Sequence, residues 1–341
     1  MKKILIALSG GVDSSVAAGI TANEYEAVGA TMKLYCSKET DLRDAENICK
    51  KIGIPFHLLD FEEDFKNSVI KDFIDTYKNG GTPNPCIVCN KVMKFGKLLE
   101  AAEKFGCDGI ATGHYVKIEY RNGRYCLKKA ADLSKDQSYV LYGLTQKQLS
   151  KTIFPLGNMS KENARKYAEG LSFDNSDKKE SQDICFVPDG DYFKFIESYT
   201  GEKFKKGYFK DKNGSILGTH QGIIKYTIGQ RKGLGLALPR PMYVCEKNID
   251  TNEVILCTNE ELFEKEVFVS DFNWVSIENP NTKFKANAKI RYNMKEQPCT
   301  VYPLPDNRIK IVFDEPQRAI TKGQSAVVYD NDYVIGGGII E

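Results

Sequence analysis

Apolar and polar residues alternate over roughly the first hundred residues in a way that predicts strands and helices in turn. Residues 4–8 form a continuous apolar run, and residues 28–34 alternate with a period of two. Further strands are predicted at 54–60 and 108–114, and apolar residues recur at helical spacing in three segments: 42–52, 65–77 and 92–105. We expect Thr40 to cap the first of these helices and Gly53 to end it. This succession predicts an α/β domain with a doubly wound parallel sheet.

The second half of the chain has a different pattern. A hairpin is predicted at 117–130, turning on Asn122 and Gly123, and a short helix at 160–170. After Gly201, short apolar runs are separated by Gly, Pro, Asn and Asp; they read IIKYTIG, MYVCEK, EVILC, EVFVSDF, KANAKIRY, IKIVF and AVVYD. These runs predict a small β-rich module followed by a β-barrel of about six strands.

The length of 341 residues favours two or three domains. The change of pattern places their boundaries at 1–200 for the α/β domain, 201–264 for a central β-rich domain and 265–341 for a C-terminal β-barrel. A composition of 41% hydrophobic and 28% charged residues is typical of a globular protein with a substantial core.

Charge is nearly balanced overall but uneven along the chain. The formal net charge is +2, yet residues 201–247 hold ten Lys and Arg against three Asp and Glu. Such a stretch is either a solvated face or a surface for an anionic partner. No apolar run approaches the ~18 residues of a membrane span. The apolar run within the starting segment MKKILIALSG is too short for the hydrophobic part of a signal peptide. We therefore expect a cytoplasmic protein without a membrane partner, monomeric by default, whose ten cysteines are reduced.

The segment SGGVDSS, residues 9–15, lies where the first strand meets a helix. Its glycines permit close backbone approach, and the helix N-terminus offers N–H groups and a positive dipole end to a phosphate, with serine hydroxyls as further donors. The segment lacks the lysine of a Walker A loop and the glycine spacing of a dinucleotide fingerprint. An ordinary strand-to-helix turn capped by Asp13 or Ser14 is the alternative.

A second irregular segment, GGTPNPCIVCNKVMKFG, carries Cys86 and Cys89 in a C-x-x-C arrangement before a helix. Three interpretations compete. Half of a zinc site would need a second ligand pair, but no other C-x-x-C exists and the three histidines are scattered. A redox pair would normally follow a strand. In the third interpretation, Cys89 is a thiolate whose pKa is lowered by the helix dipole. A third segment, KKESQDICFVPDGDY, contains Cys185, whose setting taken alone favours a buried structural thiol over a reactive one.

The loop SGGVDSS resembles the pyrophosphate loop of the PP-loop ATPases, which cleave ATP between the α and β phosphates. With TPNPCxxCN, ATGHY, KDQSYVL, SQDICF and YTIGQRKGLG in this order, essentially the whole chain resembles the tRNA-specific 2-thiouridylases. The resemblance implies ATP-dependent transfer of sulfur to C2 of the wobble uridine in tRNAs for Lys, Glu and Gln. It also makes the basic central domain a tRNA-binding domain. The alternative is another PP-loop ATP-pyrophosphatase, a ligase or amidase acting on a small carbonyl substrate.

The resemblance also implies roles for individual residues. Cys89 corresponds to the catalytic nucleophile, Cys185 to the cysteine that carries a persulfide, and Asp13 to a residue near the metal–pyrophosphate group. The implied ATP contacts are Ala7, Leu8, Ser9, Gly10, Gly11, Val12, Asp13, Ser14, Met32 and Gly113. The implied contacts to tRNA or its target base are Asn84, Pro85, Cys86, His114, Lys135, Asp136, Gln137, Arg291, Tyr292 and Gln324.

The implied chemistry needs two half-reactions. AMP is transferred from ATP to uracil O2, with Mg²⁺ accompanying ATP and no tightly bound metal expected. Sulfur then comes from the Cys185 persulfide, either directly or as hydrosulfide released by Cys89, and a disulfide is left in both cases. A cysteine desulfurase or sulfur-relay protein is the implied donor. Some relatives have an aspartate where this chain has Cys86, so that thiol is either a neutral variant or a competing sulfur acceptor.

Overall fold

The structure is a computed structural model that describes residues 1–171, 173 and 184–341. The first part of the chain alternates strands with helical segments. Its strands are β1 (Lys3–Ala7), β2 (Glu26–Lys33), β3 (Phe56–Asp60), β4 (Gly109–Ala111), β5 (Val116–Arg121), β6 (Arg124–Lys129) and β7 (Thr152–Ile153). Its helices are α1 (Val12–Glu24), α2 (Glu39–Ile52), α3 (Glu62–Phe65), α4 (Lys71–Lys78), α5 (Pro85–Val88), α6 (Leu98–Lys104), α7 (Gln146–Ser150), α8 (Lys161–Gly170) and α9 (Tyr192–Thr200). Two π-helical segments, Lys66–Ile70 and Cys89–Lys97, and the 3₁₀ turn Ser138–Leu141 complete this part.

The predicted parallel sheet is confirmed. Its five strands run in the order β3-β2-β1-β4-β7, and each pairing is parallel. Strand β1 is central, with Leu5 opposite Val28 on one side and Ile110 on the other. The successive residues Ile4, Leu5 and Ile6 of β1 are all buried, and successive side chains of a strand point to opposite faces, so both faces of the sheet are covered, as a continuous apolar run predicts.

The two ends of helix α2 show whether the predicted N-cap at Thr40 and the predicted helix end at Gly53 are correct. Gly53 ends the helix with a φ of 80°, a left-handed conformation that glycine adopts without steric cost, so this prediction is confirmed. The prediction for Thr40 is wrong. Lys38 occupies the N-cap position and Thr40 lies within the first turn. The acidic residues Glu39 and Asp41 stabilise that turn through the helix dipole.

The central β-rich part forms a four-stranded sheet in the order β10-β11-β8-β9. Its strands are β8 (Gly207–Asp211), β9 (Ile216–His220), β10 (Tyr243–Asn248) and β11 (Glu253–Cys257). The run IIKYTIG is not the strand that its apolar pattern predicts: Ile223–Lys225 is a 3₁₀ turn. Ile223 and Ile224 are nevertheless buried, so this run contributes to the core without joining the sheet.

The C-terminal part is the predicted barrel, and it closes. Its strands are β12 (Phe263–Trp274), β13 (Phe284–Lys289), β14 (Gln297–Leu304), β15 (Arg308–Arg318), β16 (Ser325–Asp330) and β17 (Tyr333–Ile340), preceded by the 3₁₀ turn Glu260–Leu262. The order β12-β15-β14-β13-β16-β17 closes through the pairing of β12 with β17. Closure leaves none of these six strands with a fully unpaired edge.

The hairpin β5–β6 connects the first part of the chain to the barrel. It turns on Asn122 and Gly123, both at positive φ, as predicted. Strand β6 joins β17, where Lys128 pairs with Tyr333. One hydrophobic core therefore contains residues from the parallel sheet and from the barrel, including Leu5 and Val327. No helix in the described part of the chain is long and apolar enough to cross a membrane.

Candidate active site

The loop between β1 and α1 has the geometry of a phosphate-binding turn. Gly10 has a φ of 73°, and a Cβ there would overlap the Asp41 carbonyl oxygen, so only glycine fits. Gly11 occupies the N-cap position of α1 and offers no side-chain bond. The first N–H groups of a helix have no partner within the helix, and here no cap side chain competes with a ligand for them.

Two of the three serine hydroxyls of the loop are turned inward. Those of Ser14 and Ser15 donate to the Gly11 carbonyl oxygen at 2.8 and 2.9 Å, and both side chains are buried. Ser9 is exposed. In this conformation the backbone, rather than the hydroxyls of Ser14 and Ser15, faces a ligand.

Asp13 is held by two residues that are distant in sequence. The Tyr115 hydroxyl donates to Oδ1 at 2.7 Å, and the Lys161 ammonium lies 2.8 Å from both carboxylate oxygens. Lys161 begins helix α8, and only 12% of its side chain is exposed. Neither Tyr115 nor Lys161 was singled out from the sequence, since nothing local marks either residue as a neighbour of the loop.

The ATGHY segment packs directly on this loop. A Cβ on Gly113 would lie 2.7 Å from the Asp13 carbonyl carbon and 2.8 Å from the Ser14 nitrogen. Met32, also predicted to contact ATP, lies near the end of β2 and is partly buried. Leu8 and Val12 of the predicted segment are core residues, so they can offer a ligand little beyond their backbone atoms.

The predicted base-binding loop leads into one long helical run. Asn84 is the N-cap residue of α5, Pro85 is buried and Cys86 is exposed. The Gln324 side-chain amide, from the barrel, donates to the backbone carbonyls of Thr82 and Pro83 at 3.0 and 3.3 Å. Gln324 was predicted to contact tRNA; in this structure it fixes the loop that carries Cys86.

Cys89 does not have the lowered pKa that the sequence suggested. It begins the π-helical segment and lies within a helical run that starts at Pro85, a full turn from the N-terminus. Burial raises its pKa to about 11, and the nearby Cys185 and Cys86 contribute to the same rise. Desolvation therefore outweighs the helix dipole, and the resting group is a thiol.

The Lys94 ammonium acts against this desolvation. A π-helix bonds each N–H five residues back, as the bond from the Leu98 N–H to the Met93 carbonyl shows, so Lys94 lies one turn from Cys89. Its charge lowers the pKa of Cys89 and also acts on Cys185 from the other segment. Lys94 is thus the cation shared by these thiols, and its role was not visible in the sequence.

Cys185 is exposed and lies beside two groups of thiols. Its side chain hydrogen bonds to that of Cys36, which raises the pKa of Cys185 and lowers that of Cys36. Cys185 also interacts electrostatically with Cys86 and Cys89. All ten cysteines are free, so no disulfide joins the cluster. Cys36 was not singled out from the sequence.

The remaining predicted tRNA contacts lie around the junction of the hairpin and the barrel. The Asp136 carboxylate accepts from the Ser138 hydroxyl at 2.6 Å, and the Gln137 side chain accepts from the Tyr115 N–H at 2.9 Å. Tyr292 is exposed, and its hydroxyl donates to the Asp136 carbonyl at 3.3 Å. Lys135 is partly exposed nearby. Asp136, Gln137 and Tyr292 are therefore joined to this junction by hydrogen bonds.

Arg291 and His114 are less accessible. Arg291 is partly buried and donates to the backbone of Ala319 and the hydroxyl of Thr321. His114 is 8% exposed, with its Nδ1 2.8 Å from the Thr112 hydroxyl. Burial, and secondarily the charge of Lys94, lowers the pKa of His114 well below its usual value.

In residues 1–171, 173 and 184–341, no group of three or more His, Cys, Asp or Glu side chains could hold a metal ion. A carboxylate such as Asp13 can still bind Mg²⁺ together with phosphate oxygens, because Mg²⁺ in nucleotide sites commonly uses one or two protein carboxylates, substrate phosphates and water. The site therefore fits a Mg²⁺ ion that arrives with ATP.

Comparisons with known proteins define the class. Three family models match in succession: tRNA methyl transferase HUP domain at residues 2–189, tRNA methyl transferase PRC-barrel domain at 193–258, and Aminomethyltransferase beta-barrel domain at 264–340. The chain is thus a three-part protein with a nucleotide-binding α/β domain and two β-rich domains.

The curated relatives are more specific. Proteins of Clostridioides difficile strain 630 and Acetivibrio thermocellus, both named tRNA-specific 2-thiouridylase MnmA, are 47% identical to this chain. The matches cover 100% of this chain and 98% and 99% of those proteins. The chain belongs to the tRNA-specific 2-thiouridylase family, whose members are tRNA sulfurtransferases. The solved NMN synthetase from Francisella tularensis has 14% identity and a TM-score of 0.36, covering 60% of this chain and 79% of that one, a likeness too weak to support an argument.

Proposed function

We propose that this protein attaches sulfur to C2 of the wobble uridine in tRNAs for lysine, glutamate and glutamine, with ATP as the activating substrate. The observation that carries the proposal is that Cys185 lies close enough to Cys89 and Cys86 to interact electrostatically with both thiols. These thiols come from segments that are distant in the chain, and Cys185 and Cys86 are exposed. An exposed thiol beside the half-buried Cys89 suits a reaction in which sulfur arrives from outside and is then released inside the site.

The first step activates the base. Oxygen is a poor leaving group at the amide-like C2 of uracil, so O2 attacks the α-phosphorus of ATP and displaces pyrophosphate. The α1 N-terminus and the Gly10–Gly11 backbone receive the pyrophosphate charge. Mg²⁺ held by Asp13 and phosphate oxygens would supply further charge neutralisation. The resulting O2–AMP ester makes AMP the leaving group of the next step.

The second step replaces oxygen with sulfur. In one route the terminal sulfur of a Cys185 persulfide attacks C2 and expels AMP, after which the Cys89 thiolate attacks the Cys185 sulfur. That attack forms a Cys89–Cys185 disulfide and releases 2-thiouridine. In the other route Cys89 attacks the persulfide first, and the liberated hydrosulfide displaces AMP. Either way a dithiol reductant must open the disulfide, and a cysteine desulfurase or relay protein must reload Cys185.

The substrate requires a cationic surface. Arg231 and Lys232 are exposed in the loop of the GQRKG motif, beside a surface cleft of about 630 Å³ lined in part by Lys225 and Gln230. Exposed cations on a loop suit the RNA backbone, whose phosphates supply a large share of the binding energy in such complexes. Base flipping costs a few kcal/mol, and these contacts would offset it.

The test is direct. Incubation with ATP, Mg²⁺, a cysteine desulfurase with L-cysteine as the source of persulfide sulfur, a dithiol reductant and an anticodon stem-loop RNA should release AMP and yield 2-thiouridine. Cys89→Ser and Cys185→Ser should abolish a persulfide-dependent reaction, whereas Cys245→Ser, a half-buried thiol of β10, serves as the matched control. Release of AMP without 2-thiouridine, with a small carbonyl compound as acceptor, would instead identify a PP-loop ligase. Full turnover in either single variant would refute the assigned roles.

A further inference from the structure

The nucleotide loop contains no cation of its own. Residues 7–15, ALSGGVDSS, carry one acidic and no basic side chain, and the lysine of a Walker A loop is absent. Pyrophosphate leaves with several negative charges, and helix N–H groups supply only partial charge to balance them. A site that cleaves ATP between its α and β phosphates therefore needs a positive side chain from another part of the fold.

Lys161 is in the right place to supply that charge. Its ammonium is bound by both Asp13 oxygens at 2.8 Å, and Asp13 lies in the first turn of α1, beside the loop amides. Helix α8 positions the lysine: Ser160 caps the helix, and the Lys161 N–H donates to the Asp132 carboxylate at 3.1 Å. The backbone at Lys161 is thus fixed while its four-carbon side chain can turn toward the loop.

The contacts of Asp13 show why the two groups are linked. Its carboxylate already accepts three bonds, one from Tyr115 and two from Lys161. A Mg²⁺ ion that binds Asp13 would compete with the ammonium for the same oxygens, because two cations cannot both be closely balanced by one carboxylate. The ammonium would then be next to the phosphates that bring the metal.

On the basis of the proposed function, we propose that Lys161 is the phosphate-binding cation of the nucleotide site, held by Asp13 until Mg²⁺–ATP takes the carboxylate. Lys161 then moves to the β- and γ-phosphate oxygens, and Tyr115, which lies under the ammonium at 6.0 Å from ring centroid to Nζ, keeps its bond to Asp13. No covalent bond is formed by the lysine. Its effect is to stabilise the pyrophosphate as it leaves.

The competing explanation is that Lys161 only neutralises Asp13. A double-mutant cycle separates the two, with calorimetric binding of α,β-methylene-ATP as the readout, so that no thiolation is needed. With Mg²⁺ present, we expect Lys161→Met to weaken binding at least about tenfold and Lys161→Arg to retain most of the affinity. Lys166→Met on the same helix is the matched control, since Lys166 is exposed and pairs with Glu162.

The decisive measurement uses the Asp13→Asn background with EDTA. Loss of the carboxylate releases the ammonium, so Asp13→Asn should bind the analogue several-fold more tightly than the parent under these conditions. Adding Lys161→Met should remove that gain. If Lys161→Met has no effect in the Asp13→Asn background, the lysine only neutralises Asp13 and the proposal is wrong. Unchanged thermal melting of each variant excludes misfolding. Failure of the parent protein to form 2-thiouridine, with its nucleotide binding intact, would count against the proposed function instead.

Discussion

The raised pKa of Cys89 predicts how fast this thiol reacts, and its rate of alkylation can be measured directly. Burial raises its pKa to about 11 from an ordinary value of 9.0. At pH 8, a thiol with a pKa of about 11 is ionised in about one molecule in a thousand, against about one in ten at 9.0. Since only the thiolate is alkylated, Cys89 should react with iodoacetamide about 100-fold more slowly than an ordinary cysteine at that pH.

Removing the charge of Lys94 should slow the alkylation of Cys89 further. The charged groups that act on Cys89 are Lys94, which lowers its pKa, and Cys185 and Cys86, which raise it. Lys94→Gln should therefore raise the pKa of Cys89 and slow its alkylation at pH 8 still further, because the thiolate fraction falls about tenfold for every tenfold weakening of the acid.

The assay is mass spectrometry of the Cys89 peptide from pH 7 to 11, in a Cys86→Ser background so that one thiol is followed. Lys91→Gln is the control, because Lys91 is exposed on the same helical run. A rate that levels off near pH 8.5 in the parent would refute the desolvation of Cys89. A Lys94→Gln rate equal to that of the parent would refute the electrostatic role of this lysine.

Three further results are expected. Gly113→Ala should weaken nucleotide binding at least tenfold in a calorimetric titration, because its Cβ would meet the Asp13 backbone at 2.7 Å, whereas Gly170→Ala, which meets nothing within 4 Å, should not. Burial lowers the pKa of Lys247 to about 8, so between about pH 8 and 10.5 the unfolded chain binds more protons than the folded one and stability rises with pH. Lys247→Met should flatten that rise in urea melts at pH 7.5 and 9.5; an unchanged slope would contradict the burial. Affinity for anticodon stem-loop RNA should fall steeply with salt, and neutralising the cations of loop 231–240 should reduce the slope of log K against log[salt].

The elements that could be predicted are those whose cause lies within a few residues. The continuous apolar run of β1, the alternation at β2, the Asn122–Gly123 turn and the stop at Gly53 each follow from a local preference. The motif residues of the nucleotide loop belong to the same group, because glycines and a helix start are enough to predict a phosphate turn. The local prediction was wrong at Thr40, because Lys38 occupies the N-cap position of α2.

The amino-acid sequence by itself determined the parallel sheet, the barrel and the chemical identity of the loop and the thiols. Only the tertiary structure decided how those groups are charged. The pKa of Cys89 depends on how much water the fold removes around it, and that outweighs the dipole of its own helix. Lys161 meets Asp13, and Cys185 meets Cys36, across long stretches of chain. Charge and desolvation act through space, so periodicity along the chain carries no record of them.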